Sequence, residues 1–268
     1  MLKFGTHTVK LASGFVTYPT VLTPEHLPGF GYNEFNYIGD VYSSLTPDDR
    51  VIFLLRHSER PSETGSSVPL TTAGIQYATA VGEALSGGIV SPNDTVYAST
   101  TPVRTRQTAQ YIATGRGDSN FSTLDSIDTS HASEISGSLF TSSTNWPLVS
   151  KYSCRFDEMT ASELTQFNDK DSTALKLIND LIAALGTKKM GVFISHDFLL
   201  VPMSSWCADS QLDLNFYDSG KQNWICYIAG VAIVLRDKHV YTTPVYSIIC
   251  EPGANGYKGI MHGYGNIL

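Results

Sequence analysis

The stretch Val51-Ile-Phe-Leu-Leu-Arg-His-Ser-Glu-Arg-Pro61 constrains this chain more than any other. Five apolar residues in a row, flanked by polar sequence, have the length and composition of a strand buried on both faces. The run ends abruptly in Arg56, His57 and Arg60. Open α/β sheets bind ligands beyond the carboxyl ends of their strands, so this tip is where a site is expected. Two guanidiniums flanking an imidazole suit an anionic, phosphorylated ligand.

The rest of the chain reads as apparatus around that tip. The first fifty residues are rich in Pro, Gly, Tyr and Thr without a helical period, and predict an extended N-terminal arm over 1–50. Leu70-Thr-Thr-Ala-Gly74 opens a helix capped by Thr71 or Thr72 and stopped at Gly87-Gly88. Thr95–Thr100 is a short strand, and Thr101-Pro102 starts a helix that carries Arg104 and ends near Gly115. Residues 116–160 are Ser/Thr-rich and irregular, and predict an inserted cap rather than a packed layer. A helical period returns over 161–185. Gly191-Val-Phe-Ile-Ser195 is a second apolar strand, and it ends in His196-Asp197. Two further strands, Cys226–Arg236 and Val240–Ile249, are joined at Asp237-Lys238 as a hairpin. Alternating strands and helices predict an α/β fold with a mainly parallel sheet and an antiparallel edge from the last hairpin.

Composition narrows the partners. A formal net charge of -7 argues against nucleic acid or an anionic membrane surface, so a phosphate site must be a local positive patch. No apolar run approaches the roughly 18 residues of a membrane-spanning helix, and Met1–His7 has no signal-like apolar core, which favours a cytoplasmic location. Cys154, Cys207, Cys226 and Cys250 are widely spaced with no zinc-like pairing, and are expected to be reduced or structurally incidental. Oligomeric state is not legible.

Two buried strands each end in a histidine, and a strand–helix junction supplies Arg104. In a parallel sheet these carboxyl ends converge on one edge. Such a set suits phosphoryl transfer through a covalent histidine. Arg56, Arg60 and Arg104 would spread charge over the phosphoryl oxygens and would keep the His57 imidazole neutral for attack. His196 would hold another oxygen, and a carboxyl group would protonate the leaving alcohol and then activate water. No metal and no cofactor is required, because the arginines supply the charge.

Arg56-His57-Ser58-Glu59-Arg60, Arg104-Thr-Arg-Gln-Thr-Ala109 and Ser195-His196-Asp197 resemble the three signature blocks of the histidine phosphatase superfamily. The likeness extends to Pro69-Leu-Thr-Thr-Ala-Gly74 and covers most of residues 50–200. It implies a three-layer α/β/α, phosphoglycerate mutase-like fold, with residues 1–268 as one domain. It also implies His57 as the phosphorylated nucleophile, with Arg56, Arg60, Arg104 and His196 as the phosphate pocket. Ser58 stands where the family usually has glycine, and its side chain is expected at the pocket edge. The acid phosphatase branch uses the aspartate of the His-Asp pair, Asp197 here. The mutase branch uses a glutamate in the middle segment, which Glu134 resembles; Asp197 is favoured.

The resulting expectation is a metal-independent phosphomonoesterase acting on a small phosphorylated molecule. A phosphoglycerate-mutase-like phosphotransferase and a silent phosphate-binding module are the alternatives. Among weaker signals, Arg116-Gly-Asp118 matches an integrin-recognition triplet but falls at a predicted turn. His131 reads as a surface residue, Trp224 and Tyr227 as core or sheet packing, and Trp146 as the aromatic to contact substrate.

Overall fold

The computed structural model describes residues 5–11, 14–20, 25–214 and 224–247. Two strands, β1 (Gly5–Leu11) and β2 (Gly14–Thr20), form a separate antiparallel hairpin. The main sheet has seven strands: β3 (Glu25–His26), β4 (Asn36–Tyr37), β5 (Arg50–Arg56), β6 (Thr95–Ser99), β7 (Met190–Ser195), β8 (Gly230–Arg236) and β9 (His239–Tyr246). Their order is β3-β9-β8-β5-β7-β6, with β4 also beside β9. Strands β5, β6 and β7 are parallel to one another, and β9 pairs parallel with β3 and β4. Strand β8 is antiparallel to both of its neighbours. The last hairpin therefore lies inside the sheet, and the short strands of the N-terminal arm form the edge beyond it.

The apolar run predicted as a doubly buried strand is the centre of this sheet, and all seven residues of β5 are buried. Alternation along a strand sends successive side chains to opposite faces. Val51, Phe53 and Leu55 pack with α1 (Ile38–Ser43), α2 (Thr72–Ala84) and α3 (Val103–Arg116). Ile52 and Leu54 pack with α4 (Trp146–Cys154), α6 (Lys170–Leu185) and α7 (Asp197–Cys207) on the other side. A short helix, α5 (Ala161–Leu164), precedes α6. The result is three layers, α/β/α.

Three local expectations change. The N-terminal arm contains α1, whose Ile38, Val41 and Tyr42 bury one helical face. The period over 161–185 is broken into α5 and α6, because Asp169 caps a new helix by accepting from the Ser172 amide. Part of the 116–160 segment is a packed layer after all: α4 starts at Asn145, which accepts from the Leu148 amide, and buries Val149 and Tyr152.

Helices α2 and α3 approach so closely that a side chain on Gly82 would strike the Ile112 carbonyl, and one on Gly115 would strike that of Thr79. The predicted strand from Cys226 begins only at Gly230, because residues 224–229 turn beneath the sheet edge, with Ile228 at φ 50°. Cys226 is in a disulfide, whereas Cys154 and Cys207 are free. Cys250, Tyr217, His262 and residues 248–249 of the predicted final strand lie outside the described residues.

Candidate active site

Adjacent parallel strands β5 and β7 end side by side, with Arg56 paired to Ser195 and the His57 amide donating to the Ser195 carbonyl at 3.0 Å. This register brings His57 and His196 together, their ring centroids 5.4 Å apart edge to face. The cleft they share is compact, about 230 Å³. Arg56, Arg60, Arg104 and Asp197 line it too, so the structure gathers the six residues predicted from the sequence.

His57 is 4% exposed. Its Nδ1 lies 2.7 Å from the Ser58 carbonyl oxygen, which can only accept, so Nδ1 carries the proton and the lone pair sits on Nε2. Burial, reinforced by the charges of Arg56, His196 and Arg104, holds His57 well below the ordinary histidine pKa. The charge argument made from the sequence is thus the lesser cause.

His196 caps α7 at its N-terminus, where the helix dipole presents its positive end to the cleft. An Arg104 Nη donates toward Nδ1 at 3.5 Å, and since a guanidinium only donates, Nε2 carries the proton and donates to Thr100 Oγ1 at 3.0 Å. Burial and the nearby Arg104 lower its pKa to about 4, against the opposing charge of Asp197. In the unliganded cleft His196 is therefore neutral at pH 7.

Arg56 is 1% exposed and heavily braced. It donates to the Ile225 carbonyl at 2.6 Å, ion-pairs with Asp197 Oδ2 at 3.2 Å, and stacks its guanidinium 4.5 Å from the centre of the Tyr227 ring. Arg60 donates to the carbonyls of Pro61 and Glu63, both at 2.7 Å, and Arg104 to that of Gly65 at 2.9 Å. The 61–65 loop thereby fixes both guanidiniums. Gln107 and Thr108 brace the same region: Gln107 accepts from the Leu70 amide at 2.8 Å and Thr108 from the Ser58 amide at 2.9 Å.

Ser58 does not reach the pocket edge. It is fully buried, and its hydroxyl donates to the Gly74 carbonyl of α2 at 2.7 Å. Gly74 permits this approach, since a side chain there would strike the Glu59 carbonyl. Asp197, 7% exposed, accepts from the Trp224 indole on Oδ2 at 3.1 Å and from the Phe198 amide on Oδ1, also at 3.1 Å. Glu134 is not among the residues that line the cleft; its Oε2 lies 3.8 Å from His131 Nδ1, with His131 also facing Asp128.

Sequence reasoning missed Trp224 and Tyr227 as site residues, because their role depends on a turn that follows masses of intervening chain. No local pattern announces it. Trp146, in contrast, lines the cleft from the N-terminus of α4 as expected. Among the described residues no group of three or more His, Cys, Asp or Glu side chains is arranged to hold a metal ion. No described helix is long and apolar enough to cross a membrane.

Residues 52–213 match the family model of the histidine phosphatase superfamily, branch 1. Among solved structures, the chain is similar to a mycobacterial glucosyl-3-phosphoglycerate phosphatase at 13% identity, covering 73% of this chain and 97% of that one, with a TM-score of 0.42. It is similar to the ecdysone phosphate phosphatase of Bombyx mori at 20% identity, covering 82% and 100%, with a TM-score of 0.38. A third is the protein histidine phosphatase SixA complexed with tungstate, at 16% identity over 73% and 94%, with a TM-score of 0.32. No curated protein matches the sequence.

Proposed function

Because this chain belongs to the histidine phosphatase superfamily, we propose that it hydrolyses small phosphomonoesters through a phosphohistidine formed on His57. One observation carries this reading: the His57 Nδ1 is tied to the Ser58 carbonyl, leaving a neutral Nε2 lone pair in a cleft lined by three arginines and His196. A neutral imidazole is the nucleophilic form.

As it enters, the substrate's phosphate monoanion hands its proton to the Asp197 carboxylate and so becomes the dianion; the Nε2 lone pair then attacks phosphorus as the bond to the ester oxygen breaks, and Asp197 passes that proton to the departing alcohol. Asp197, now a carboxylate, takes a proton from water as that water attacks phosphorus. The P–N bond then breaks, releasing phosphate and the neutral imidazole. Arg56, Arg60 and Arg104 offset the charge on the transferring group, which places the chemistry among positioning and electrostatic effects and needs no metal. The dianion formed in the cleft also favours protonation of His196, which can then donate to it.

Support for Asp197 over Glu134 is positional. Asp197 lines the cleft and ion-pairs with Arg56, whereas Glu134 turns to His131. We read residues 1–268 as one domain, with 1–50 as an arm and 116–160 as a cap, a division supported by Trp146 reaching the cleft from the cap. The disulfide at Cys226 favours an oxidising compartment over the cytoplasmic one suggested by the sequence.

The test is hydrolysis of p-nitrophenyl phosphate in EDTA across pH 4–8, by wild type and His57→Ala. Turnover that survives chelation and disappears in the variant is expected, together with an acid-labile phosphoenzyme in the wild type alone. Turnover retained by His57→Ala would overturn the assignment.

A further inference from the structure

Outside its arginines the cleft is aromatic. Trp146 and Phe198 both line it, their rings 6.1 Å apart at an interplanar angle of 48°. Trp146 also stacks toward the fully buried Trp224, at 6.4 Å and 29°, so its indole is held on two sides. Trp146 and Phe198 are each half-buried and keep part of their faces open. Gly137 lines the same cleft and brings no side chain into it.

Among the described residues, no cation beyond the three arginines of the proposed phosphoryl pocket lines the cleft. The cations lining the cleft are Arg56, Arg60 and Arg104, all at the sheet edge. Of the three basic residues in the cap, Lys151 is paired with Glu163 at 2.8 Å and Arg116 is buried against Asp118 at 3.1 Å, and neither these two nor Arg155 lines the cleft. A second anionic group on the substrate would meet no further cation among the described residues that line the cleft. The cleft, at about 230 Å³, lies below the usual ligand-pocket range of roughly 300–1,000 Å³. That volume accommodates a phosphoryl group with a ring placed beside it.

We propose that the substrate is a monophosphate ester whose alcohol carries a single uncharged aromatic ring, seated against Trp146 and Phe198. This rests on the phosphatase reading above and names the class of its substrate. Ring-on-ring contact supplies affinity by burying apolar surface with offset or edge-on geometry, and it needs no charge.

The experiment compares kcat/KM for benzyl phosphate, glycerol 2-phosphate and 3-phosphoglycerate, in wild type, Trp146→Ala and Trp146→Phe. Benzyl and glycerol phosphates both release poorly acidic alcohols, so leaving-group acidity does not favour the aromatic ester. Wild type should prefer benzyl phosphate by about 10-fold or more, the scale of losing one well-packed ring contact. That ratio should collapse in Trp146→Ala and largely return in Trp146→Phe. Equal or better turnover of glycerol 2-phosphate or 3-phosphoglycerate overturns the proposal while leaving the phosphatase reading intact. Wild type that turns over none of the three, and forms no phosphohistidine with any, sinks the phosphatase reading itself and this proposal with it.

Discussion

The Trp224 indole donates to Asp197 Oδ2 at 3.1 Å, the same oxygen that the Arg56 guanidinium approaches at 3.2 Å. A fully buried tryptophan and a fully buried arginine thus fix one carboxyl oxygen from two directions. The turn over 224–229 also presents the Ile225 carbonyl and the Tyr227 ring to Arg56, and so it aligns both the cation proposed to bind the phosphoryl group and the carboxyl group proposed as acid and base.

Replacing Trp224 by Phe keeps the ring and removes the N–H. Losing a hydrogen bond to a charged group costs about 1.5–3 kcal/mol, which is roughly 10-fold or more in rate if it is felt in the transition state. The expected result is a fall of that order in kcat with KM little changed, measured by steady-state kinetics. An unchanged kcat would show that Asp197 does not depend on this contact.

Anion binding should take up a proton. His196 titrates near pH 4 in the open cleft, through burial and the nearby arginines, and a bound dianion opposes both influences. At pH 6 the imidazole should therefore pass from neutral to protonated when sulfate, already a dianion at that pH, binds. Calorimetry in two buffers of different ionisation heat should report uptake approaching one proton, and His196→Gln should abolish it.

Acid should destabilise the protein before its carboxylates titrate. Both site histidines have folded pKa values below the ordinary 6.5, His196 at about 4 and His57 held well below the ordinary value by burial. Between these values the unfolded chain binds protons that the folded one does not, so stability falls as pH drops from about 6.5 toward 4. Thermal melts at pH 7, 6 and 5 should show a declining Tm, with a shallower decline in a His57→Asn, His196→Gln double variant.

Arg116→Ala should unfold or severely weaken the protein. The side chain is 6% exposed, pairs with the buried Asp118 at 3.1 Å, and also donates to the Leu85 and Val90 carbonyls. Breaking a buried pair from one side costs about 3–5 kcal/mol. A lowered Tm with loss of soluble protein is the expected outcome. The same geometry removes the integrin-like triplet from any adhesive role, because Arg116 and Asp118 face each other inside the fold.

Much of the site was legible because its residues directly follow apolar runs. Leu55 and Ile194 end the apolar runs of buried strands, and the next few residues fall at the sheet edge whatever the loops do. Helix α4 was less visible: its buried face includes Ser150 and Ser153, whose small polar side chains blur the apolar period. The Asn145 cap followed by Pro147 was its readable signal. Ser58 was placed wrongly because strand alternation near a turn depends on where α2 docks, which is a tertiary fact. Trp224 and Tyr227 reach Asp197 and Arg56 through pairing of β8 with β5, and sequence distance hides that entirely.

The position of β5 has a consequence for the order in which the molecule can be made. Val51 pairs with Met190 on one side and with Val234 on the other, so the strand that ends at Arg56 is made before both of its partners and waits for them. Contacts of such long sequence separation form slowly, since a large loop must close before they repay its entropy. Until β8 has been synthesised, one edge of an apolar strand is open, and Arg56 has neither the Ala229 carbonyl for its amide nor the Tyr227 ring for its guanidinium. The nascent chain thus carries an apolar strand unpaired until β7 and β8 have been made, and the surroundings of Arg56 are completed only when β8 pairs.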